Sequence, residues 1–160
     1  NTSGPAYVRL GKGGEPIVTD PGFIPGSIRV LRQGSRLLAL TTGGIGHECL
    51  LAADRLGADV VTVAHIPTVS PLDVDVVFEL MGRHEVILVV EEHVPSGGLW
   101  TAVVEAAARR GYPHRIHQAS LPQGFASAYG SQRQHWEAAG LNDEALATRM
   151  RQLLEEHSHG

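Results

Sequence analysis

Apolar and polar positions alternate along the chain in two rhythms, short continuous runs and wider helical spacings. Residues 36–42, "RLLALTT", form a nearly unbroken apolar run, the pattern of a strand covered on both faces. Residues 45–56 then switch period: Ile45, Cys49, Ala52, Ala53 and Leu56 fall on one helical face, and Gly57 is placed to cap it. The scheme repeats with strand 58–66, "ADVVTVAHI", and helix 72–83, "LDVDVVFELMGR". It repeats again with strand 85–93, "EVILVVEEH", and helix 98–111, "GLWTAVVEAAARRG". A short strand at 114–120, "HRIHQAS", follows Pro113. Helical stretches at 131–140 and 142–157 close the chain, and Asn142 is the candidate N-cap of the last, with Ala145 at its third position. Upstream, "PAYVRL" (5–10) has a strand's apolar content. Residues 13–28 hold Pro16, Pro21 and Pro25 among glycines and read as a linker, and 28–35, "IRVLRQGS", reads as a strand and a turn.

Strands alternating with helices across short loops predict an α/β domain, a three-layer α/β/α sandwich on a five-stranded, mostly parallel sheet. The turn "RQGS" is too short for a parallel crossover, so the first strand is expected antiparallel to the rest. Functional groups of open sheets gather at the carboxyl ends of the parallel strands. That edge here carries "TTGGIG", "HIPTVSPLD", "EEHVPSGG" and "ASLPQG".

Composition narrows the classes. The 160 residues are 42% hydrophobic and 19% charged with a net charge of −4, an ordinary globular balance without a basic footprint for nucleic acid. No apolar run approaches the ~20 residues that span a bilayer, so neither a nucleic-acid nor a membrane partner is expected. One cysteine, Cys49, excludes an internal disulfide and fits a cytoplasmic setting. Its apolar helical surroundings make it a buried structural thiol rather than a nucleophile.

The edge loops carry the candidate chemistry. "TTGGIG" could hold a phosphate at a helix N-terminus, yet it has neither the G-x-G-x-x-G spacing nor the Gly-Lys-Ser/Thr ending, and reads better as a tight turn that lets the helix pack closely. In "TVSPLD", Ser70 is the N-cap candidate, Pro71 the first helical residue and Asp73 a first-turn acid. "EEH" could be a metal site, an acid–base pair or neither. A strand sends Glu91 and His93 to one side and Glu92 to the other, so the segment offers at most two convergent ligands where a metal wants three or four.

Together, "GPAYVRLGKG", "GSRLLALTTGGIGHECLLAADRL", "IPTVSPLD", "VILVVEEHVPSGGLWTAVVEA" and "YGSQRQHWEAAGLNDEALA" resemble, in order, the C-terminal part of transketolase-family enzymes. That family includes transketolase, deoxyxylulose-phosphate synthase and the beta subunits of 2-oxoacid dehydrogenases. The resemblance implies that residues 1–12 are the last strand of a pyrimidine-binding domain, 13–27 the linker, and 28–160 the C-terminal domain. It implies a thiamine-diphosphate- and magnesium-dependent enzyme that transfers a two-carbon ketol unit between sugar phosphates, assembled as a homodimer with its diphosphate- and pyrimidine-binding domains. The alternative is a 2-oxoacid dehydrogenase beta-subunit domain that docks an acyltransferase core. The family's Gly-Asp-Gly…Asn motif is absent from these residues, so neither cofactor binding nor turnover is expected of this chain alone, and no catalytic residue or metal ligand is assigned to it.

By the same resemblance, Arg9 and Lys12 stand where relatives hold a substrate phosphate. Lys12 brings a point charge where relatives carry an arginine fork. Two solvated cations near the chain start are the other reading. Glu91, Glu92, His93, Gly97, Gly98 and Trp100 are expected to form an architectural corner at a domain and dimer interface. There a glutamate satisfies backbone donors, the glycines let the helix start close to the sheet, and Trp100 is an interface anchor or a core lid.

Overall fold

The structure, a computed structural model, describes residues 4–9, 11, 17–18, 22, 24, 26–125 and 129–159. Five strands form one sheet: β1 (Arg29–Arg32), β2 (Gly34–Thr42), β3 (Asp59–His65), β4 (Val86–Glu91) and β5 (Ile116–Ala119). Five helices join them: α1 (Gly46–Leu56), entered through a single 3-10 turn at Gly43–Ile45, α2 (Val74–Met81), α3 (Leu99–Arg110), α4 (Gln132–Ala138) and α5 (Asp143–Ser158). The strand order is β1-β3-β2-β4-β5.

Strand parity sorts the core. Leu37, Ala39, Val61, Val63, Leu88 and Val90 pack with Cys49, Trp136, Leu146 and Met150 on the α1, α4 and α5 side. Their sequence neighbours Leu38, Leu40, Ala64, Ile87 and Val89 pack with Val77, Met81, Leu99 and Val103 on the α2 and α3 side. Because both faces are covered, the central strands read as continuous apolar runs. The predicted three-layer sandwich is what the chain forms.

Strand β1 is antiparallel as expected, but its partner is β3, not the β2 that follows it directly. Only Gln33 separates the two strands, so the chain passes over β3 at Val61 and Thr62 as it moves from one side of that strand to the other. The crossing depends on Gly34, whose missing Cβ would lie 2.7 Å from the Thr62 amide nitrogen and closer still to the Val61 backbone. Thr62 fastens it further: its hydroxyl accepts from Gly34 N and donates to Gly34 O, each at 2.9 Å.

Helix boundaries followed the caps. Gly57 ends α1 with φ of 99°, and Asn142 Oδ1 accepts from Ala145 N at 3.2 Å, both as the sequence indicates. In α2 the N-cap is Asp73, accepting from Val76 N, rather than Ser70, and Pro71 lies before the helix after a cis Ser70–Pro71 bond. The helix starts later because Asp73 offers the capping oxygen nearest the apolar stripe. Helix α4 opens on a reciprocal capping box between Ser131 and Gln134, a signal legible in "SQRQ" that the apolar pattern alone passes over. Pro5 to Arg9 form no strand here, where no neighbouring strand pairs with them.

Candidate functional site

The corner after β4 is built on a buried carboxylate. Glu91, at the end of β4, is 1% exposed and points to the α2 and α3 side. Its Oε2 accepts from Leu99 N at 2.6 Å, and its Oε1 from Trp100 N at 3.1 Å and Gln118 Nε2 at 3.2 Å. The amides of Leu99 and Trp100 belong to the first turn of α3, where no intrahelical carbonyl can serve them. A negative group also suits the positive end of the helix dipole. The place at which this helix could receive an external anion is therefore filled from within the chain.

Gly98 is what lets α3 come so near. A Cβ there would overlap Glu91 Oε2 and lie 2.9 Å from Glu91 Cδ and 3.0 Å from His93 Nδ1. Gly97 supplies a positive φ of 84°, and its amide donates to Thr101 Oγ1 at 2.8 Å. His93 stands on the Glu91 side, half-buried, with its Nδ1 2.8 Å from Val94 O. Trp100 is half-buried among the residues of that face, and its indole N–H donates to Ile116 O at 3.3 Å.

Glu92 faces the other way. Gln132 Nε2, in the first turn of α4, donates to its Oε2 at 2.9 Å and its Oε1 at 3.1 Å. Arg9 reaches the same residue from the N-terminal segment, donating from Nη1 to Glu92 O at 3.2 Å, with Nη2 at 3.6 Å from Glu92 Oε2. The Arg9 side chain remains 62% exposed, whereas that of Glu92 is 19% exposed. Of the two candidate phosphate-binding cations, Arg9 thus lies at the carboxyl edge of the sheet, and Lys12 falls outside the described residues.

The glycine-rich turn after β2 is packed rather than open. Gly43 takes φ of 71°, and a Cβ on Gly46 would lie 3.4 Å from Thr41 Cγ2 and 3.5 Å from His65 Nδ1. Beneath it, burial pushes the Cys49 thiol up to about 12, against a smaller opposing pull from the Thr41 hydroxyl, which keeps it protonated and unreactive. Among the described residues, Thr41 Oγ1 meets no stronger partner than this weakly interacting thiol, and His65 Nδ1 has no hydrogen-bond partner. Burial lowers the His65 pKa from its usual 6.5. A further buried acid, Glu48, accepts from Asp143 N at 3.0 Å and so serves the first turn of α5. Sequence reasoning passed over it, since one glutamate on a helix carries no mark of burial.

Among the described residues, no three His, Cys, Asp or Glu side chains stand together to hold a metal ion, and no helix is long and apolar enough to cross a membrane. The corner does not fit a magnesium–diphosphate group, because its one buried carboxylate is fully engaged with backbone and amide donors.

Fold and corner together define a three-layer α/β domain whose sheet, at its carboxyl edge, receives an arginine from the N-terminal segment. Residues 26–146 match the family model for the transketolase C-terminal domain, and the chain belongs to that family. It is 28% identical over 150 residues to one of the subunits of the apulose-4-phosphate transketolase of Actinobacillus succinogenes, covering 91% of this chain and 48% of the relative. It is 36% identical over 126 residues to 1-deoxy-D-xylulose-5-phosphate synthase of Nitrosospira multiformis, covering 79% of this chain and 20% of the relative. A solved split-gene transketolase, described as an inactive beta4 tetramer, superimposes with a TM-score of 0.80 at 27% identity, covering 93% of this chain and 49% of its own. The chain thus spans about half the length of its subunit-type relatives and about a fifth of the synthase. These relatives do not favour the dehydrogenase alternative.

Proposed function

We propose that the chain is the C-terminal part of a thiamine-diphosphate-dependent enzyme that moves a two-carbon ketol unit between sugar phosphates. In this reading residues 1–12 complete a pyrimidine-binding domain, 13–27 link it, and 28–160 supply assembly surface and the rim of the active site. Thiamine diphosphate, when bound, supplies the carbanion-stabilising chemistry. Its binding residues and magnesium ligands belong to the remaining domains, and the chain alone is inactive. Assembly as a homodimer, with the corner around Trp100 near the two-fold axis, is part of the same reading, and sedimentation of the assembled enzyme measures it.

The observation that carries the reading is Arg9, which sits at the carboxyl edge of the sheet with most of its side chain exposed. There it can hold the phosphate of a substrate by charge-assisted hydrogen bonds. The test is Arg9→Ala in the enzyme assembled with its remaining domains. A lost bond to a charged group is worth ~1.5–3 kcal/mol, so KM for a phosphorylated substrate should rise about 10- to 150-fold, with little change for an unphosphorylated analogue. Equal effects on both substrates overturn the phosphate role.

A further inference from the structure

The geometry points to Glu92 as a positioning residue that sets the orientation of Arg9 for an anionic substrate group, with Gln132 as its brace. This rests on the reading of Arg9 given above. Glu92 is neither a surface acid that happens to meet a cation nor part of the Glu91 network. Both of its carboxylate oxygens accept from one amide, Gln132 Nε2, at 2.9 and 3.1 Å. An amide holds a carboxylate without bringing an opposing charge, so Glu92 loses its freedom to turn. The guanidinium of Arg9 meets that fixed group twice, by an Nη1 hydrogen bond to the main-chain oxygen at 3.2 Å and by Nη2 near the carboxylate at 3.6 Å.

One edge of the fork is thus held, and in a side chain that is 62% exposed the remaining donors meet no other partner among the described residues. The three residues come from three separate segments, the N-terminal extension, the loop after β4 and the first turn of α4. Glu92 therefore ties the extension to the sheet edge and reduces the rotamer freedom Arg9 would lose on binding phosphate.

The experiment is a double-mutant cycle in the assembled enzyme, using Arg9→Ala, Glu92→Gln and the pair, with KM and kcat read for a phosphorylated substrate and an unphosphorylated analogue. The Arg9–Glu92 contact is exposed, and such pairs are worth about 1.4- to 5-fold. Glu92→Gln should raise KM for the phosphorylated substrate by that factor, with kcat changed less than KM, and should add nothing once Arg9 is alanine. Gln132→Ala, which frees the carboxylate without removing its charge, should move KM the same way by a smaller factor, and this guards against a folding defect in Glu92→Gln. If Arg9→Ala discriminates between the substrates but Glu92→Gln acts equally in both backgrounds, the positioning role falls and the reading of Arg9 stands. If Arg9→Ala does not discriminate, both fall.

Discussion

Replacing Glu91 by alanine should destabilise the domain by about 3 kcal/mol. The carboxylate is 1% exposed and serves three donors, two of them first-turn amides of α3. Gln118 Nε2 keeps a second acceptor, Pro95 O at 3.1 Å, so its loss is small. The amides of Leu99 and Trp100 have no alternative within the helix, and a buried donor left without an acceptor costs ~1–3 kcal/mol. Two such amides set a range of about 2–6 kcal/mol, and relief from burying a charge brings the balance toward the lower half. Glutamine should cost less, roughly 1.5 kcal/mol, because its single carbonyl oxygen can serve one amide while its NH2 group opposes the other. Urea unfolding followed by circular dichroism measures both. In a thermal melt, 3 kcal/mol corresponds to a Tm lowered by about 6–12 °C for a chain of this size. An alanine variant that loses less than ~1 kcal/mol, or a glutamine variant less stable than the alanine one, would refute the account of Glu91 as the acceptor on which the start of α3 depends.

Two further outcomes follow from the same structure. Gly98→Ala places a Cβ 2.9 Å from Glu91 Cδ and 3.0 Å from His93 Nδ1, so it should destabilise by about 2 kcal/mol or more through displacement of the same carboxylate. In the Glu91→Ala background the added cost should shrink, and strict additivity in unfolding measurements would count against the shared cause. His65 gives a pH dependence: burial favours its neutral form, so the folded chain binds fewer protons than the unfolded chain as pH falls below 6.5. Its contribution is full above that value and is lost as pH drops toward the lowered folded pKa. His65→Gln should flatten the fall in urea midpoint between about pH 6.5 and 5, and an unchanged slope would exclude His65 as its source.

What the chain's order of residues determined by itself was the kind of each element and the side it presents. The run at 36–42 announced a strand buried on both faces, and the spacing of Ile45, Cys49, Ala52 and Leu56 announced a helix with one apolar face. Period-two and period-3.6 patterns are local, and each residue's share in them depends only on near neighbours. Asn142 and Gly57 were legible for the same reason, since capping chemistry acts within a few residues. The parity of "EEH" also sufficed to separate Glu91 from Glu92.

Tertiary structure decided which strand lies beside which, and what each acid meets. That β1 pairs with β3 follows from Gly34 passing close over Val61, a contact between segments 27 positions apart in sequence. Glu91 and Glu92 are adjacent and chemically identical, yet one is sealed against the start of α3 while the other braces Arg9 across 83 positions. No local pattern encodes such pairings, because hydrogen bonds and burial depend on distances that exist only once the sheet has assembled and the helices have closed over it.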